Sequence, residues 1–268
     1  MSAGDRAFVG SIPEIYDRYL GPMLFDPYAE ELASRLSGFQ GAILETAAGT
    51  GRLTRALIRS VGSGSTITAT DLNEPMLARA ADEVRSDLVR WQPADALSLP
   101  FEDGMFDAVV CQFGVMFFPD KIKAFKEAHR VLRPGKAFLF NVWHDLPRNE
   151  LSFVADKTVA QCFPSNPPRF LRRGPWGYQD RALIEIDLRA AGFGKITFEL
   201  VERETPAHSA AEAALGLCKG SPLRSEIEER DPARLDAVVE AVSEALKARF
   251  GDGPIKGKGQ ALVVTAVT

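Results

Sequence analysis

A carboxylate and two glycines stand close together in the run Glu45-Thr46-Ala47-Ala48-Gly49-Thr50-Gly51, which we call the cofactor loop. The loop follows an apolar run at residues 42–44 and precedes a helical pattern that begins at Leu53. Gly49 and Gly51 lack Cβ atoms, so their backbone can take a positive φ and let a ligand approach the first amides of the helix. The loop therefore predicts a binding site for a nucleotide-type cofactor.

The spacing after the two glycines narrows the kind of cofactor. A dinucleotide fingerprint needs a third glycine three residues after Gly51, and Thr54 occupies that position. A pyrophosphate is therefore not the expected ligand, and an NAD-type oxidoreductase is the weaker alternative.

Two aspartates follow the next two predicted strands. Asp71 comes twenty residues after Gly51, where a doubly wound sheet faces the glycine loop, and its carboxylate can accept hydrogen bonds from both ribose hydroxyls of an adenosine. Asp95 follows the third strand and is placed to meet an adenine amino group. Aspartates after strands also serve as helix N-caps and turn residues, so that alternative stays open for both.

The pattern around these residues predicts an α/β fold. Helical patterns and loops too long for hairpins separate the apolar or β-branched runs, which indicates a parallel sheet wound by crossover helices. Arg133-Pro134-Gly135 is expected to end a helix over 121–132 and to lead into the fifth strand. The five predicted strands are residues 42–44, 66–70, 88–92, 106–113 and 137–143.

The second half of the chain is predicted to carry two helical cap insertions, at about 145–180 and 206–255. Between them lie a helix at 182–191 and a strand at 195–201, and a last strand follows at 261–267. We expect two parts: residues 1–40 as an N-terminal helical segment covering the cofactor site, and residues 41–268 as the domain that contains the insertions.

Composition favours a protein that acts on small molecules. The 268 residues are 46% hydrophobic, and 32 basic against 36 acidic residues give a net charge of −4, which attracts neither nucleic acid nor an anionic membrane. The three widely spaced cysteines form no zinc or disulfide pattern, and we see no apolar stretch of about 18 residues. We expect an untargeted cytoplasmic protein with no integral membrane association, and its oligomeric state stays open.

Several motifs now match one family in order. Residues 43–45 with 49–51, 70–71, 94–96 with 99–101, 106–109 and 129–135 together resemble the class I S-adenosylmethionine-dependent methyltransferases, over roughly residues 40–145. Within that family the chain resembles the ubiquinone-biosynthesis-like group, which acts on small molecules. The resemblance implies a Rossmann-like, seven-stranded doubly wound sheet whose last strand is antiparallel, with inserted helical caps.

The resemblance also implies a cofactor and the residues that hold it. The cofactor is S-adenosyl-L-methionine, the product is S-adenosyl-L-homocysteine, and no metal is expected. Gly49 and Gly51 would border the methionine part, Glu45 would orient the loop and the ammonium group, and Asp71 would hold the ribose. The adenine would be flanked by Leu72 and Met76 and read by Asp95 and the Ala96 amide, while Gln112 would face the methionine end. Ordinary packing after a strand is an equally open interpretation of Leu72, Met76, Asp95 and Ala96.

The predicted activity is transfer of a methyl group to an O, N or C atom of a small, partly hydrophobic metabolite. His144, just past the fifth strand, is the candidate general base, with a polar loop residue as the alternative. Arg169, Arg172 and Arg173 could clamp an acidic substrate group, although a solvated loop is the default. Candidate substrate-binding aromatics, for which core packing is the alternative, are Tyr16, Tyr19, Phe113, Trp143 and Trp176.

A further alternative to an enzyme is open at this point. A methyltransferase-like protein could keep the cofactor pocket and act as a non-catalytic binding or assembly factor.

Overall fold

A computed structural model describes residues 12–268 of the chain. Its strands are β1 (Ala42–Thr46), β2 (Thr66–Asp71), β3 (Val89–Pro93), β4 (Phe106–Gln112), β5 (Leu132–Trp143), β6 (Lys195–Ala207) and β7 (Ile255–Val267). Its α-helices are α1 (Ile12–Ile15), α2 (Asp26–Ser34), α3 (Arg52–Ser60), α4 (Glu74–Glu83), α5 (Lys121–Val131), α6 (Glu150–Cys162), α7 (Phe170–Arg173), α8 (Arg181–Ala190), α9 (Ala210–Lys219), α10 (Leu223–Arg230) and α11 (Leu235–Phe250). A π-helix covers Tyr16–Phe25, and 3₁₀ turns cover Val115–Phe117, Leu146–Arg148 and Pro232–Arg234.

The strands form one sheet in the order β3-β2-β1-β4-β5-β7-β6. Neighbours from β3 to β5 pair in parallel, and β7 pairs antiparallel with β5. The predicted Rossmann-like, seven-stranded sheet with an antiparallel last strand is therefore confirmed. Because the strand order reverses between β1 and β4, the carboxyl ends of these strands and of β2 border the point where such sheets bind ligands.

The sequences of the central strands explain why they lie in the middle. Ile43 and Leu44 of β1 and Val109 and Val110 of β4 are fully buried, as expected when helices cover both faces of a parallel sheet. Continuous apolar runs of this kind cannot sit at a solvated edge without exposing one face.

Several strand ends differ from the sequence prediction: β6 continues to Ala207 instead of ending at residue 201, and β7 begins at Ile255 instead of residue 261. The differences at β5 and β4 have local causes. β5 begins at Leu132, so Arg133-Pro134-Gly135 lies inside the strand as an irregularity between the pairs Phe106 with Leu132 and Ala108 with Ala137. The extra residues of β5 are not paired with β4. They include Gly135, whose φ of +76° is one that glycine tolerates. β4 ends at Gln112 instead of continuing through Phe113, because Phe113 takes a φ of +49°.

The chain divides into two compact units. The sheet unit contains residues 28–143, Tyr178–Val201 and Ala261–Thr268, and the helical unit contains residues 12–27, His144–Gly177 and Glu202–Gln260. The predicted division at residue 40 and the two predicted insertions stay predictions, and residues 1–11 of the expected N-terminal segment lie outside the described residues.

Close packing inside the helical unit depends on Gly216 of α9. A Cβ at this position would lie 2.9 Å from Tyr19 Cβ and 3.2 Å from a Leu20 methyl group, so the missing side chain lets α9 approach the π-helix. Leu217 and Ala214 of α9 and Val242 of α11 are buried within the unit. None of the helices in residues 12–268 combines the length and the apolar composition needed to cross a membrane.

Candidate functional site

The cofactor loop has the backbone geometry that its glycines predict. Gly49 has a φ of +57° and Gly51 a φ of +77°, both in the left-handed region that glycine tolerates. A Cβ on Gly51 would also lie 3.0 Å from the Trp91 ring and 3.2 Å from Ala80 Cβ, so a side chain there would displace these neighbours by a few tenths of an ångström. Ala47 takes a positive φ of +54°, which the sequence did not indicate, so the loop holds a strained residue beside its two glycines.

Glu45 at the end of β1 is buried, with 1% of its surface exposed, and it holds the start of α3. The Thr54 hydroxyl donates to Glu45 Oε2 at 2.6 Å, and the Thr54 backbone amide also bonds to this carboxylate. The N-cap residue of α3 is Gly51, which has no side chain to cap the helix. The Glu45 carboxyl group therefore takes over the N-cap role by accepting the Thr54 backbone amide.

Burial destabilises the charged form of Glu45. Burial, together with the nearby Asp71, raises the Glu45 pKa to about 8, although the hydrogen bonds from Thr54 act in the opposite direction. The carboxyl group is therefore largely neutral at pH 7. A cation brought next to Glu45 would favour the ionised form.

Asp71 at the end of β2 lies against the loop as predicted. Its carboxylate accepts the Gly49 backbone amide at 2.8 Å and the Asn73 backbone amide at 2.7 Å. Burial raises the pKa of Asp71 despite these hydrogen bonds. Glu45, the glycines and Asp71 thus meet at one place, at the carboxyl ends of β1 and β2.

The predicted adenine-binding residues lie after β2 and β3 in different environments. Leu72 is 61% exposed and Met76 is buried, with its Cε 3.5 Å from the position that a Cβ on Gly49 would occupy. Asp95 is exposed, and its Oδ1 accepts the Leu97 backbone amide at 2.9 Å. The turn interpretation of Asp95 is therefore realised in the structure, while the adenine-reading roles of Asp95 and the neighbouring Ala96 stay predictions.

The end of β4 brings an aromatic pair beside the loop. The Phe113 and Trp143 rings stack with centroids 3.8 Å apart, and Tyr28 meets both rings edge-on. The Phe113 backbone amide donates to Oδ1 of the buried Asn141 at 2.9 Å, which holds Phe113 in its left-handed conformation. All three rings are nearly fully buried, so the core-packing alternative describes them in this structure.

Gly114 places this segment against the cofactor loop. A Cβ on Gly114 would lie 2.5 Å from Ala47 Cβ and 2.7 Å from Cys111 Sγ, so only glycine permits the approach. The half-buried Gln112, predicted to face the methionine end of the cofactor, ends β4 two residues earlier.

Four of the predicted catalytic and substrate residues belong to the helical unit. The His144 backbone amide donates to the Gln260 carbonyl at 3.0 Å, and its buried Nδ1 has no hydrogen-bond partner in residues 12–268. Tyr16 stacks on Phe25 with ring centroids 4.9 Å apart, and Arg18 lies over the Tyr19 ring. Trp176 is buried. Their roles toward a substrate stay predictions.

Two of the three arginines proposed as an anion clamp are already paired with carboxylates. The Arg169 backbone amide donates to Glu226 Oε2 at 2.7 Å. Arg172 donates from Nε and Nη2 to the buried Asp156 carboxylate, with the shortest contact at 2.6 Å, and Arg173 pairs with Glu226 at 2.7 Å. These guanidinium groups stabilise the helical unit, and a substrate carboxylate would have to displace Asp156 or Glu226 to bind them.

The side chains at the loop fit S-adenosylmethionine. Glu45 is a carboxyl group whose pKa is raised by burial, and the cofactor carries an ammonium and a sulfonium that would favour the ionised form. The hydroxyl of the buried Thr50, between the two glycines, has no hydrogen-bond partner in the described part of the chain. Glu45 and Asp71 would hold the amino acid and ribose groups, and the left-handed glycines leave room for them. Within residues 12–268, no group of three or more His, Cys, Asp and Glu side chains is arranged to hold a metal ion.

The sequence interpretation missed two polar residues of this site. In the sequence, Thr54 indicated only that the third glycine of a dinucleotide fingerprint is absent. A threonine in the first turn of α3 can, however, reach a carboxylate at the end of β1. Asn141 lies in the apolar run of β5, where a fully buried amide signals a specific partner.

Comparison with known proteins agrees with this geometry. Residues 44–140 match a family model described as a methyltransferase domain. The ubiquinone/menaquinone biosynthesis C-methyltransferase UbiE of Pectobacterium atrosepticum is 37% identical over 169 residues, which are 58% of this chain and 67% of that protein.

Solved structures extend the likeness to nearly the whole fold. Phosphoethanolamine N-methyltransferase 2 of Haemonchus contortus, solved with S-adenosylhomocysteine, has a TM-score of 0.60 at 20% identity, covering 98% of this chain and 59% of that one. The [4+2]-cyclase SpnF has a TM-score of 0.54 at 21% identity, covering 90% and 81%. Since a cyclase shares the architecture, the fold alone does not define the reaction.

The sequence relationship, the strand order and the loop geometry point to the same family and the same cofactor, S-adenosylmethionine. The chain belongs to the class I S-adenosylmethionine-dependent methyltransferases, in the ubiquinone-biosynthesis-like group.

Proposed function

We propose that this protein transfers a methyl group from S-adenosylmethionine to a small, partly hydrophobic acceptor, and that the first acceptor class to test is a quinone-type ring. The observation that carries the methyl-transfer role is the meeting of Glu45, Gly49 and Asp71 at the carboxyl ends of β1 and β2. The acceptor class is supported by the relationship to a UbiE named for ubiquinone and menaquinone biosynthesis.

The cofactor supplies an electrophilic methyl group: the acceptor atom forms the new bond while the carbon–sulfur bond breaks and its electron pair returns to sulfur, leaving S-adenosylhomocysteine. The protein's contribution is to hold the two reactants near attack distance, since the leaving group is already good. When the acceptor is a phenol oxygen or an activated ring carbon, it loses a proton as it gains the methyl group. A base that takes this proton accelerates the reaction.

His144 is the residue we propose as this base. Its backbone is fixed by the hydrogen bond to the Gln260 carbonyl, and Asn149 Nδ2 lies 3.3 Å from the His144 carbonyl oxygen. Because Nδ1 has no partner within the described residues, no hydrogen bond in this part of the chain assigns the proton to that ring nitrogen.

The test is a methyl-transfer screen of the full chain with S-adenosylmethionine over phenols, amines and reduced quinone precursors, read by mass spectrometry. Methylated product from the quinone precursors, with S-adenosylhomocysteine in equal amount, is expected. Product from amines alone would overturn the acceptor class, and persistent inactivity with bound S-adenosylhomocysteine would favour a non-catalytic binding factor.

A histidine pair separates the base from the rest of the site. His144→Gln should lower kcat by about 100-fold with unchanged S-adenosylhomocysteine affinity. The matched variant His208→Gln, at an exposed position of the helical unit, should leave kcat within about twofold. Equal rates for the two variants would remove His144 from the chemistry.

A further inference from the structure

The Thr54 hydroxyl makes the shortest hydrogen bond at the cofactor loop, and the sequence motif gives it no role. Thr54 is fully buried and stands where dinucleotide-binding proteins place a glycine for helix packing. Its Oγ1 lies 2.6 Å from Glu45 Oε2, and its backbone amide bonds to the same carboxylate. One residue therefore holds Glu45 through two donors.

We propose that Thr54 is a positioning residue that orients the Glu45 carboxylate for the ammonium group of the cofactor. The inference rests on the proposed cofactor-binding role of Glu45 and deepens it. A carboxylate has about four acceptor positions, and the Thr54 hydroxyl and amide use two of them. The two hydrogen bonds from Thr54 fix the orientation of the carboxylate and so of its remaining acceptor positions. The ammonium group therefore binds a carboxylate that is already oriented.

The groups around Glu45 show why a neutral donor is useful here. Asp71 of β2 raises the Glu45 pKa, Arg55 of α3 lowers it, and Glu45 in turn raises the pKa of the Cys111 thiol on β4. The Thr54 hydrogen bonds favour the ionised carboxylate in this balance without adding a permanent cation that would repel the ammonium.

Two ligands separate this role from simple packing. S-adenosylhomocysteine carries the amino acid group, whereas 5′-methylthioadenosine keeps the adenosine and lacks the ammonium. In calorimetric titrations of the full chain, Thr54→Val should weaken S-adenosylhomocysteine binding about tenfold and 5′-methylthioadenosine binding less than twofold. Thr54→Ser, which restores a hydroxyl, should return S-adenosylhomocysteine affinity to within about threefold of the natural protein.

Thr70→Val is the matched control. The buried Thr70 hydroxyl donates to the Glu45 backbone carbonyl at 2.9 Å, so its loss removes a hydrogen bond to the same residue but not to the carboxylate. We expect Thr70→Val to affect the two ligands equally. If Thr54→Val does not fold, Thr54→Ala with the same two ligands replaces it.

A pH series adds a readout that packing would not change. S-adenosylhomocysteine affinity should rise with pH as Glu45 ionises, and Thr54→Val should move the midpoint of that rise to higher pH because it removes a hydrogen bond to the charged form. Equal losses for both ligands or an unmoved midpoint would overturn the positioning role. Failure of the natural protein to bind S-adenosylhomocysteine would instead contradict the proposed function itself.

Discussion

The cofactor loop of the sheet unit and the ion pairs of the helical unit hold their carboxylates in opposite ways. Glu45 is buried and Asp71 is half-buried; both accept hydrogen bonds from neutral donors, and desolvation raises the pKa of both. In the helical unit, the buried Asp156 faces the Arg172 guanidinium, and Glu150 pairs with Arg249 at 2.8 Å.

We propose that the difference separates carboxylates that bind the cofactor from carboxylates that stabilise the fold. A buried carboxylate with its own guanidinium is complete within the protein. One that burial keeps neutral at pH 7 reduces the free energy of unfolding and gains a partner only when a cation binds. Under this proposal, the Glu45 carboxyl group lowers the free energy of unfolding and raises the affinity for the cofactor. The ion pairs of the helical unit do not lower stability in this way.

Glu45→Gln should have the largest effect, and it acts on the pH dependence of the free energy of unfolding. Between the ordinary glutamate pKa of about 4.3 and the folded value of about 8, the folded state keeps a proton that the unfolded state releases, so stability falls as pH rises. Gln does not titrate, so the variant's gain in the free energy of unfolding should be about 2–4 kcal/mol larger at pH 8 than at pH 5. Urea denaturation at the two pH values measures it.

Glu127→Gln provides the opposite sign as a control. The hydrogen bond from Arg130 lowers the pKa of Glu127, so its charged form stabilises the protein above that pKa, and the variant should lose stability at pH 8. If Glu45→Gln also loses stability at pH 8, the loop carboxylate is an ordinary structural group and the comparison fails.

Asp71→Ala sharpens the comparison through affinity. Loss of hydrogen bonds to a charged group should lower S-adenosylhomocysteine affinity by about 1.5–3 kcal/mol in calorimetry. Asp95→Ala is the matched change at an exposed strand end, and it should have a smaller effect because Asp95 bonds only its own turn in the described chain. Equal losses would support the adenine-reading role predicted for Asp95, whereas an unchanged affinity of Asp71→Ala would remove Asp71 from the site.

Asn141→Ala measures the support behind the loop. Removal of Oδ1 leaves the buried Phe113 amide unpaired, which should lower the free energy of unfolding by about 1–3 kcal/mol. Thermal unfolding with and without S-adenosylhomocysteine detects both this loss and any weakening of the ligand's stabilising effect. An unchanged melting temperature would show that Asn141 does not hold Phe113.

Arg172→Ala should have the smallest effect. The Arg172 guanidinium is 58% exposed and lies outside the cofactor loop, so S-adenosylhomocysteine affinity should stay within twofold even though the buried Asp156 loses its partner. A large loss of affinity would show that the ion pairs of the helical unit also support binding, against the distinction drawn above.

These regions also differ in how far their sequences predicted them. The strands, the left-handed Gly49 and Gly51, and the Asp71 contact follow from local patterns, because strand periodicity and glycine conformation are set within a few residues. The hydrogen bond from Thr54 to Glu45 joins residues nine apart and depends on how α3 packs on β1. The left-handed Phe113 and the irregular start of β5 arise from tertiary contacts that override residue preference.

The helical unit was predicted less fully. Its arginines offered a plausible anion site because the sequence does not reveal that Asp156 and Glu226 approach them. Helices α7 and α10 are too short to show apolar residues repeated at helical spacing, so the sequence pattern did not predict them.

The central claim is that Glu45, Gly49 and Asp71 hold the amino acid and ribose groups of S-adenosylmethionine. Calorimetric titration of the full chain at pH 8 with S-adenosylhomocysteine and, separately, with NAD tests it most directly. We predict saturable one-to-one binding of S-adenosylhomocysteine and none of NAD, because the loop has no third glycine and places a carboxylate where an ammonium is expected. Tight NAD binding without S-adenosylhomocysteine binding would contradict the account.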